Sequence, residues 1–223
     1  SHYEIGIKTR PTDQSNLNLT LFNTDINDYQ TQVQTAEVGV NRGYLANAEK
    51  VRVNGAELEG GIRVGKRFSF TGAVSYTEGK YVSFKNAPVP LEEVGGTSAF
   101  KDVSGGSLPG ISKWAGSIGG EYAQDGRFLG LSGKFFIAAD TYGRSTFSSS
   151  PSPSNYLNIS GYALVNARIG FRASNGLSIF IWSRNLTDTN YFEQLLPAAG
   201  SSGLYAAVLG DQRTFGTTLR YAF

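Results

Sequence analysis

Arg213-Thr214-Phe215-Gly216-Thr217-Thr218-Leu219-Arg220-Tyr221-Ala222-Phe223 is the stretch on which the fold turns. Side chains of an extended strand alternate between two faces, so Phe215, Leu219, Tyr221 and Phe223 share one face while Thr218 and Arg220 take the other. A ribbon that is greasy on one side must hide that side. On a water-soluble protein, an apolar edge strand ending in Phe invites pairing with other chains.

The same two-residue period runs through the rest of the chain. Tyr3, Ile5 and Ile7 oppose Glu4, Gly6 and Lys8; Leu17, Leu19 and Leu21 oppose Asn18 and Thr20. Phe68, Phe70, Val74 and Tyr76 oppose Ser69, Thr71, Ser75 and Thr77. Leu129, Leu131, Phe135 and Ile137 oppose Ser132 and Lys134, and Ala163, Val165, Ala167, Ile169 and Phe171 oppose Asn166, Arg168 and Arg172. Short turns are expected at Pro11 to Asn16, Gly65-Lys66, Asp125-Gly126 and Asn175-Gly176, the last two being strong hairpin dipeptides. Long connections are expected at about residues 31–50, 85–110, 143–159 and 188–210. The reading is an all-β, antiparallel up-and-down meander of about nine strands, with tight turns at one end and long loops at the other.

Composition agrees. Gly (28), Phe (14) and Tyr (12) are abundant, only 40% of residues are hydrophobic, and mean hydropathy is −0.22. No apolar run is long enough for a membrane helix. Cysteine is absent and His2 is the sole histidine, which argues against thiol, zinc and Ser-His-Asp chemistry. A formal charge of +2, scattered along the chain, leaves no footprint of a nucleic-acid binder. Alternation alone does not decide whether lipid or water wets the apolar face, since a soluble sandwich alternates too. Two details favour lipid. Charged residues such as Glu57 and Glu59 oppose the apolar face, as in a wet lumen. Aromatics gather at segment ends (Tyr81, Phe84, Trp114, Tyr122, Phe128, Tyr142, Tyr162, Tyr191, Tyr205), where interfacial belts lie.

The terminal segment resembles the last strand of outer-membrane barrels, whose final Phe is read by the barrel-assembly machinery; Phe215, Leu219, Tyr221 and Phe223 carry that signature. Other segments resemble the TonB-dependent receptor family. Tyr3-Glu4-Ile5-Gly6-Ile7-Lys8 resembles its E-x-G-x-K strand, Leu21 to Gln30 the strand after it, and Val53-Asn54-Gly55-Ala56-Glu57-Leu58-Glu59 its G-x-E-L-E strand. Leu108-Pro109-Gly110-Ile111-Ser112-Lys113-Trp114 resembles L-P-x-x-x-x-W, and Arg184-Asn185-Leu186-Thr187-Asp188-Thr189-Asn190-Tyr191 contains N-L-x-D-x-x-Y.

The resemblance implies a bacterial outer-membrane transporter, not an enzyme, without a cofactor of its own. It implies uptake of a scarce, bulky nutrient, a ferric siderophore ahead of cobalamin, haem or an oligosaccharide. In that family a plug fills a barrel of about 22 strands. The chain is therefore expected to be the carboxy-terminal portion of such a barrel over residues 1–223. It is expected to be truncated at its front and to lack plug, TonB box and signal peptide. Expected partners are outer-membrane lipid, the barrel-assembly machinery, the ligand, and the TonB complex through the plug of the parent. Rival readings are a passive porin-like barrel and a soluble β-sandwich binding module.

Within the chain, the loops are where ligand contacts are expected. Tyr142, Arg144, Phe147, Tyr156, Tyr191, Phe192 and Tyr205 offer aromatic and cationic groups, although the same residues suit packing or belt anchoring. Glu57 and Glu59 have the spacing of same-face carboxylates. They are read as lumen lining that pairs with Arg or Lys on neighbouring strands rather than as a catalytic pair.

Overall fold

The computed structural model describes residues 1–37, 40–151, 154–198 and 203–223, with side chains of 34–37 and 40–42 left aside. Strands β1 (His2–Thr12), β2 (Ser15–Glu37), β3 (Val40–Val64) and β4 (Phe68–Ser83) follow one another. A long loop carries the short strands β5 (Ala87–Pro88) and β6 (Phe100–Lys101), and the hairpin β7 (Trp114–Phe128) and β8 (Leu131–Arg144) comes next. A second loop holds β9 (Phe147–Ser148) and β10 (Asn158–Ile159), leading to β11 (Tyr162–Ala173) and β12 (Leu177–Arg184). A third loop holds β13 (Phe192–Pro197) and β14 (Tyr205–Leu209) before β15 (Thr214–Tyr221). Nine strands form one antiparallel sheet in the order β1-β2-β3-β4-β7-β8-β11-β12-β15, and each loop folds its two short strands into a ribbon of its own. Every neighbour in the large sheet is a neighbour in sequence among the long strands, which is the expected meander. Among the described residues no helix is long and apolar enough to cross a membrane.

The short turns lie at one end. Asn175-Gly176 turns the chain as expected, with Gly176 at φ 93° in the left-handed region that glycine tolerates. Asp125-Gly126 does not. Asp125 pairs with Lys134 and Gly126 with Gly133 inside the ladder, and the turn is Leu129-Gly130, both at positive φ (49° and 82°) between the paired Phe128 and Leu131. Two positive φ angles are the signature of the type I′ hairpin. Moving the turn four residues along each strand changes the register by an even step and keeps every side chain on its face, so alternation could not tell the two apart. The added length brings Phe128 against Phe135 and Phe171, with centroids at 6.2 and 5.7 Å.

The expected loop at 31–50 is also corrected, since β2 and β3 continue through its described part as a projecting hairpin. The polar run Thr31-Gln32-Val33 alternates too, with Thr31 and Val33 buried and Gln32 exposed. The alternation changes phase at Asp28, whose φ of 52° re-aims the strand. What buries Val33 is the first loop, folded over it: Val33, Ala48, Val51, Tyr81, Phe84, Ala87, Val103 and Leu108 form a dry core. Tyr81 and Phe84 are each 1% exposed within it, so they are core residues and not belt anchors.

The main sheet itself has two unlike faces. On one, Tyr122, Ile137, Ile169 and Ile181 lie side by side in register across four strands. Ile137, Ile169 and Ile181 are 54–58% exposed. Tyr76 and Trp114 meet at 4.9 Å at the loop end of this face, and Phe68 and Tyr122 at 4.8 Å toward the turn end. Phe68 to Tyr76 is about 26 Å of strand, or about 20 Å of height at a barrel tilt near 40°, close to the apolar band of outer-membrane barrels. On the other face, Glu121 accepts two hydrogen bonds from Arg172 (2.7 and 2.6 Å), Asn166 donates to Asp140 (2.8 Å) and Asn18 donates to Glu59 (2.8 Å).

Candidate functional site

Three loops and the β2–β3 hairpin make a crown at one end of the sheet. The first loop, residues 84–113, returns along β4 by backbone bonds from Tyr81 to Gly106 and from Leu108 to Gly79 (both 2.9 Å). The Ile111 and Leu108 side chains pack against Gly79, closely enough that a Cβ there would displace the Ile111 terminal methyl. Gly110 then donates to the Ser148 carbonyl (2.8 Å) and joins the second loop.

Arg144, at the end of β8, locks this junction. Its guanidinium donates to Ser112 Oγ (2.7 Å) and to the Gly110 carbonyl (2.6 Å), and it lies 3.6 Å above the Phe147 ring. Phe147 is buried beneath it. The second and third loops are clasped by Ser149, whose hydroxyl donates to the Leu195 carbonyl (2.6 Å) and accepts from the Leu195 N–H (3.3 Å).

The third loop is shaped by Asn185, which adopts φ 46° and is buried. Its amide donates to the carbonyls of Thr189 (2.9 Å) and Asp211 (3.0 Å) and accepts from Thr189 N–H (2.9 Å). Asp188, at φ 56°, accepts from the Arg213 N–H (3.2 Å). The N-L-x-D-x-x-Y segment is thus a turn that ties both ends of the loop together. Tyr191 closes it, packed on Tyr162 with centroids 4.5 Å apart and against Gly210, where no Cβ would fit.

At the centre of the crown, Tyr205 from the third loop donates to the Glu92 carboxylate of the first, and its ring stacks on Tyr156 of the second at 5.4 Å. Partial burial pushes the Glu92 carboxyl up. Hydrogen bonds from Tyr205, Ser154 and backbone N–H groups outweigh that and hold it below the ordinary glutamate value. Burial, then the bond to Glu92, raises the Tyr205 phenol above its ordinary value. Beside this contact lies a cavity of about 400 Å³ between the first and second loops, lined in part by Glu92, Glu93, Lys101, Ser148, Asn155 and Asn158. Carboxylates, hydroxyls and amides around such a space supply donors and acceptors for a polar ligand.

The residues expected to meet a ligand are distributed unevenly. Tyr156 and Tyr205 are brought together, and so are Arg144 and Phe147. Tyr142 stands lower, on the polar wall near Glu57 and Ser117. Phe192 opens β13, half-exposed, next to Tyr191. Phe215, Leu219 and Tyr221 line the apolar face of β15, and Phe223 follows that strand, all well exposed. Of the expected belt aromatics, Tyr142 and Tyr162 lie not on the apolar face but opposite it, and Tyr191 and Tyr205 belong to the third loop of the crown. Glu57 and Glu59 make no ion pair among the described residues, contrary to expectation; Glu59 takes its hydrogen bond from Asn18. Glu92, Ser149 and Ser154 escaped sequence reasoning, since nothing marks one Glu or Ser among many as a loop clasp.

Residues 1–186 match the family described as TonB dependent receptor-like, beta-barrel. No curated protein matches the chain in sequence. Among solved structures, the ferric yersiniabactin uptake receptor FyuA from Yersinia pestis is similar over 100% of this chain and 29% of its own, at 19% identity and a TM-score of 0.75. The copper transporter OprC is similar over 100% of this chain and 30% of its own, at 13% identity and 0.73. BauA, the ferric preacinetobactin receptor from Acinetobacter baumannii, is similar over 99% of this chain and 29% of its own, at 15% identity and 0.68. The chain spans less than a third of the length of these structures, and at such identities the likeness is one of fold.

Proposed function

Since the chain belongs to the TonB-dependent receptor-like β-barrel family, we propose that its nine long strands are part of a bacterial outer-membrane barrel wall and its loops part of an extracellular vestibule. In this reading the whole receptor takes up a scarce, bulky nutrient, a ferric siderophore first. Energy comes from the TonB complex, acting through a plug domain elsewhere in the parent. The observation that carries the reading is the contrast between the two faces of one sheet. A row of isoleucines stands exposed on one, and a bidentate carboxylate–guanidinium pair stands on the other. Water on both sides would leave the isoleucine face as a large exposed apolar patch, whereas hydrocarbon on one side stabilises it. The free edges of β1 and β15 pair with neighbouring strands of the parent, as lipid demands. The final β15 segment is what the assembly machinery reads.

Ligand contact in this proposal falls on Tyr156, Tyr205, Phe192 and Tyr142, while Arg144, Phe147 and Tyr191 hold the loops that present them. The names of FyuA and BauA support ferric siderophores as the class; that of OprC keeps a metal cargo in view. The test is growth of a strain lacking the full-length receptor, on iron starvation with a panel of ferric siderophores. Loss of growth on one of them, restored by the receptor only when TonB is present, is the expected result. A defect confined to cobalamin, haem or glycan use would replace the cargo, and TonB-independent uptake would overturn the mechanism.

A further inference from the structure

The apolar face of the sheet does not stay apolar over its whole height. Up β3 from the middle of the wall, that face carries Leu58, Ala56, Asn54, Arg52 and Lys50. Ala56 is in register with Tyr76, and Tyr76 with Trp114, so the change from apolar to charged falls directly above the aromatic pair. Register then sets Asn23, Asn54 and Glu78 in one row across β2, β3 and β4, and Asp25, Arg52 and Lys80 in a second row above it. Higher still, beyond Asp28, Gln30 and Asn47 are paired and exposed, while their neighbours Tyr29 and Ala48 pack in the dry core on the other side.

The charges in this patch are layered. Asp25 accepts from Arg52 at 2.7 and 3.1 Å and lies 3.8 Å from Lys50, and Glu78 lies 2.7 Å from Lys80. The three cationic side chains are 36–46% exposed and the two carboxylates 21–28%. A partner arriving from outside therefore meets ammonium and guanidinium groups first, with the carboxylates beneath holding them in place. The next carboxylate up, Glu49, accepts from Ser83 and the Lys85 N–H (both 3.3 Å). Both lysines lean toward the aromatic pair, because the carboxylate each one reaches lies one row lower. Lys80 is four residues above Tyr76, about 13 Å of strand or about 10 Å of height at a barrel tilt near 40°. The polar layer of a bilayer starts at such a belt and is about 5–8 Å deep on each side; a stem leaning downward covers the difference.

Three chemistries are thus stacked on one strip of wall: apolar side chains, then cations, then amides. Cations take phosphate oxygens, and amides exchange hydrogen bonds with hydroxyls. A soluble anion matches only the middle layer. A zwitterionic phospholipid brings a cation of its own and no hydroxyl-rich part above its phosphate. A glycolipid with phosphate on its sugar offers tail, anion and hydroxyls in the order the wall presents their partners.

We propose that Lys50, Arg52 and Lys80 form a docking site, on the outer wall above the aromatic pair, for a phosphorylated glycolipid of the outer leaflet, its acyl chains against Leu58 and its sugars toward Gln30 and Asn47. The inference rests on the reading of this face as wetted by lipid. It adds a partner that stays in the membrane and is not cargo.

The test uses the full-length receptor in phosphatidylcholine nanodiscs that contain radiolabelled lipopolysaccharide, the same glycolipid stripped of phosphate, or phosphatidylglycerol. Lipid retained after detergent extraction and repurification is counted. The expected result is retention of the intact glycolipid alone. Retention falls about fivefold or more in Arg52→Gln/Lys80→Gln and returns in Arg52→Lys/Lys80→Arg. Lys66→Gln/Arg67→Gln, at the turn between β3 and β4, removes the same charge and leaves retention unchanged. Resistance to unfolding in cold detergent, read on gels, shows that each variant has folded. Equal retention of the phosphate-free glycolipid or of phosphatidylglycerol, displacement by inorganic phosphate, an equal fall in the turn variant, or indifference to Arg52 and Lys80 each overturns the proposal. A phosphatidylcholine with a photoreactive acyl chain, present in every nanodisc, separates the two levels. Its labelling of the β8 peptide around Ile137 upholds the wall even when the glycolipid site fails, and absence of that labelling refutes the wall itself.

Discussion

Replacing Ile137 by Arg puts the membrane reading to a quantitative test. Ile137 lies on the apolar face of β8, between Tyr122 and Ile169 in the ladder. Along its own strand it is six residues from Leu131 and eight from Ser145, which bonds to Trp114 at the loop end. It is therefore close to the middle of the apolar band. An arginine at mid-depth on the lipid face of a barrel costs about 2–4 kcal/mol, or about 30- to 700-fold in the folding equilibrium at 1.4 kcal/mol per decade. Ser117→Arg is the matched control. Ser117 is in register with Tyr142 on the polar wall, where water and neighbouring polar groups accept the charge. Its expected cost is below about 1 kcal/mol, the usual size of a surface substitution. The assay is denaturant titration of the full-length receptor refolded into lipid vesicles, with Ile137→Leu as a packing control. Equal costs at Ile137 and Ser117, or a cost below about 0.5 kcal/mol at Ile137, would refute the reasoning.

Four further outcomes follow from the geometry. Gly170→Ala drives a methyl into the Ile179 carbonyl and Phe180 of the adjacent strand, so folding weakens by about 1–3 kcal/mol, seen as reduced yield of detergent-resistant receptor. Ser149→Ala removes both bonds to Leu195, about 1–2 kcal/mol of loop–loop contact; hydrogen exchange should quicken around Leu195 and stay unchanged in β8. Glu92 has a depressed pKa in the folded crown, so its contribution is present above the unfolded glutamate value near 4.5 and is lost as pH falls through the lower folded value. Spin labels at Ser98→Cys and Leu204→Cys should report the first and third loops separating below pH 4.5, and Glu92→Gln should abolish that dependence. Tyr205, with its raised pKa, contributes below its ordinary value near 10 and loses its donor proton as pH rises through the folded value, so the contact also opens on the alkaline side.

The strands were legible because each carries its own record of burial: Ile5, Leu19, Phe70 and Ile169 repeat at a spacing that only a pleated chain uses. Turn position was less legible. Asp125-Gly126 has stronger hairpin chemistry than Leu129-Gly130, yet the ladder continues past it, because four more residue pairs and the Phe128 ring contacts outweigh a local preference. The projecting β2–β3 hairpin was hidden because Thr31, Gln32 and Asn47 look like a loop until the covering segment at 84–108 is known. The crown was the least legible part. Its contacts join residues more than a hundred positions apart, as Glu92 and Tyr205 do, through side chains of ordinary type.

The dry core around Val33, Tyr81 and Phe84 also dictates an order of events. It stands beyond the aromatic pair Tyr76–Trp114, at the far end from the tight turns, so under the proposed membrane reading a wall entering a bilayer from the turn side would pass its loop segments through unfolded. The crown can condense only after crossing, from a chain whose hairpins are already in register. A lesion such as Phe84→Ala would then leave a receptor that inserts normally but presents unset loops to the outside, and surface proteolysis would find it while membrane fractionation would not.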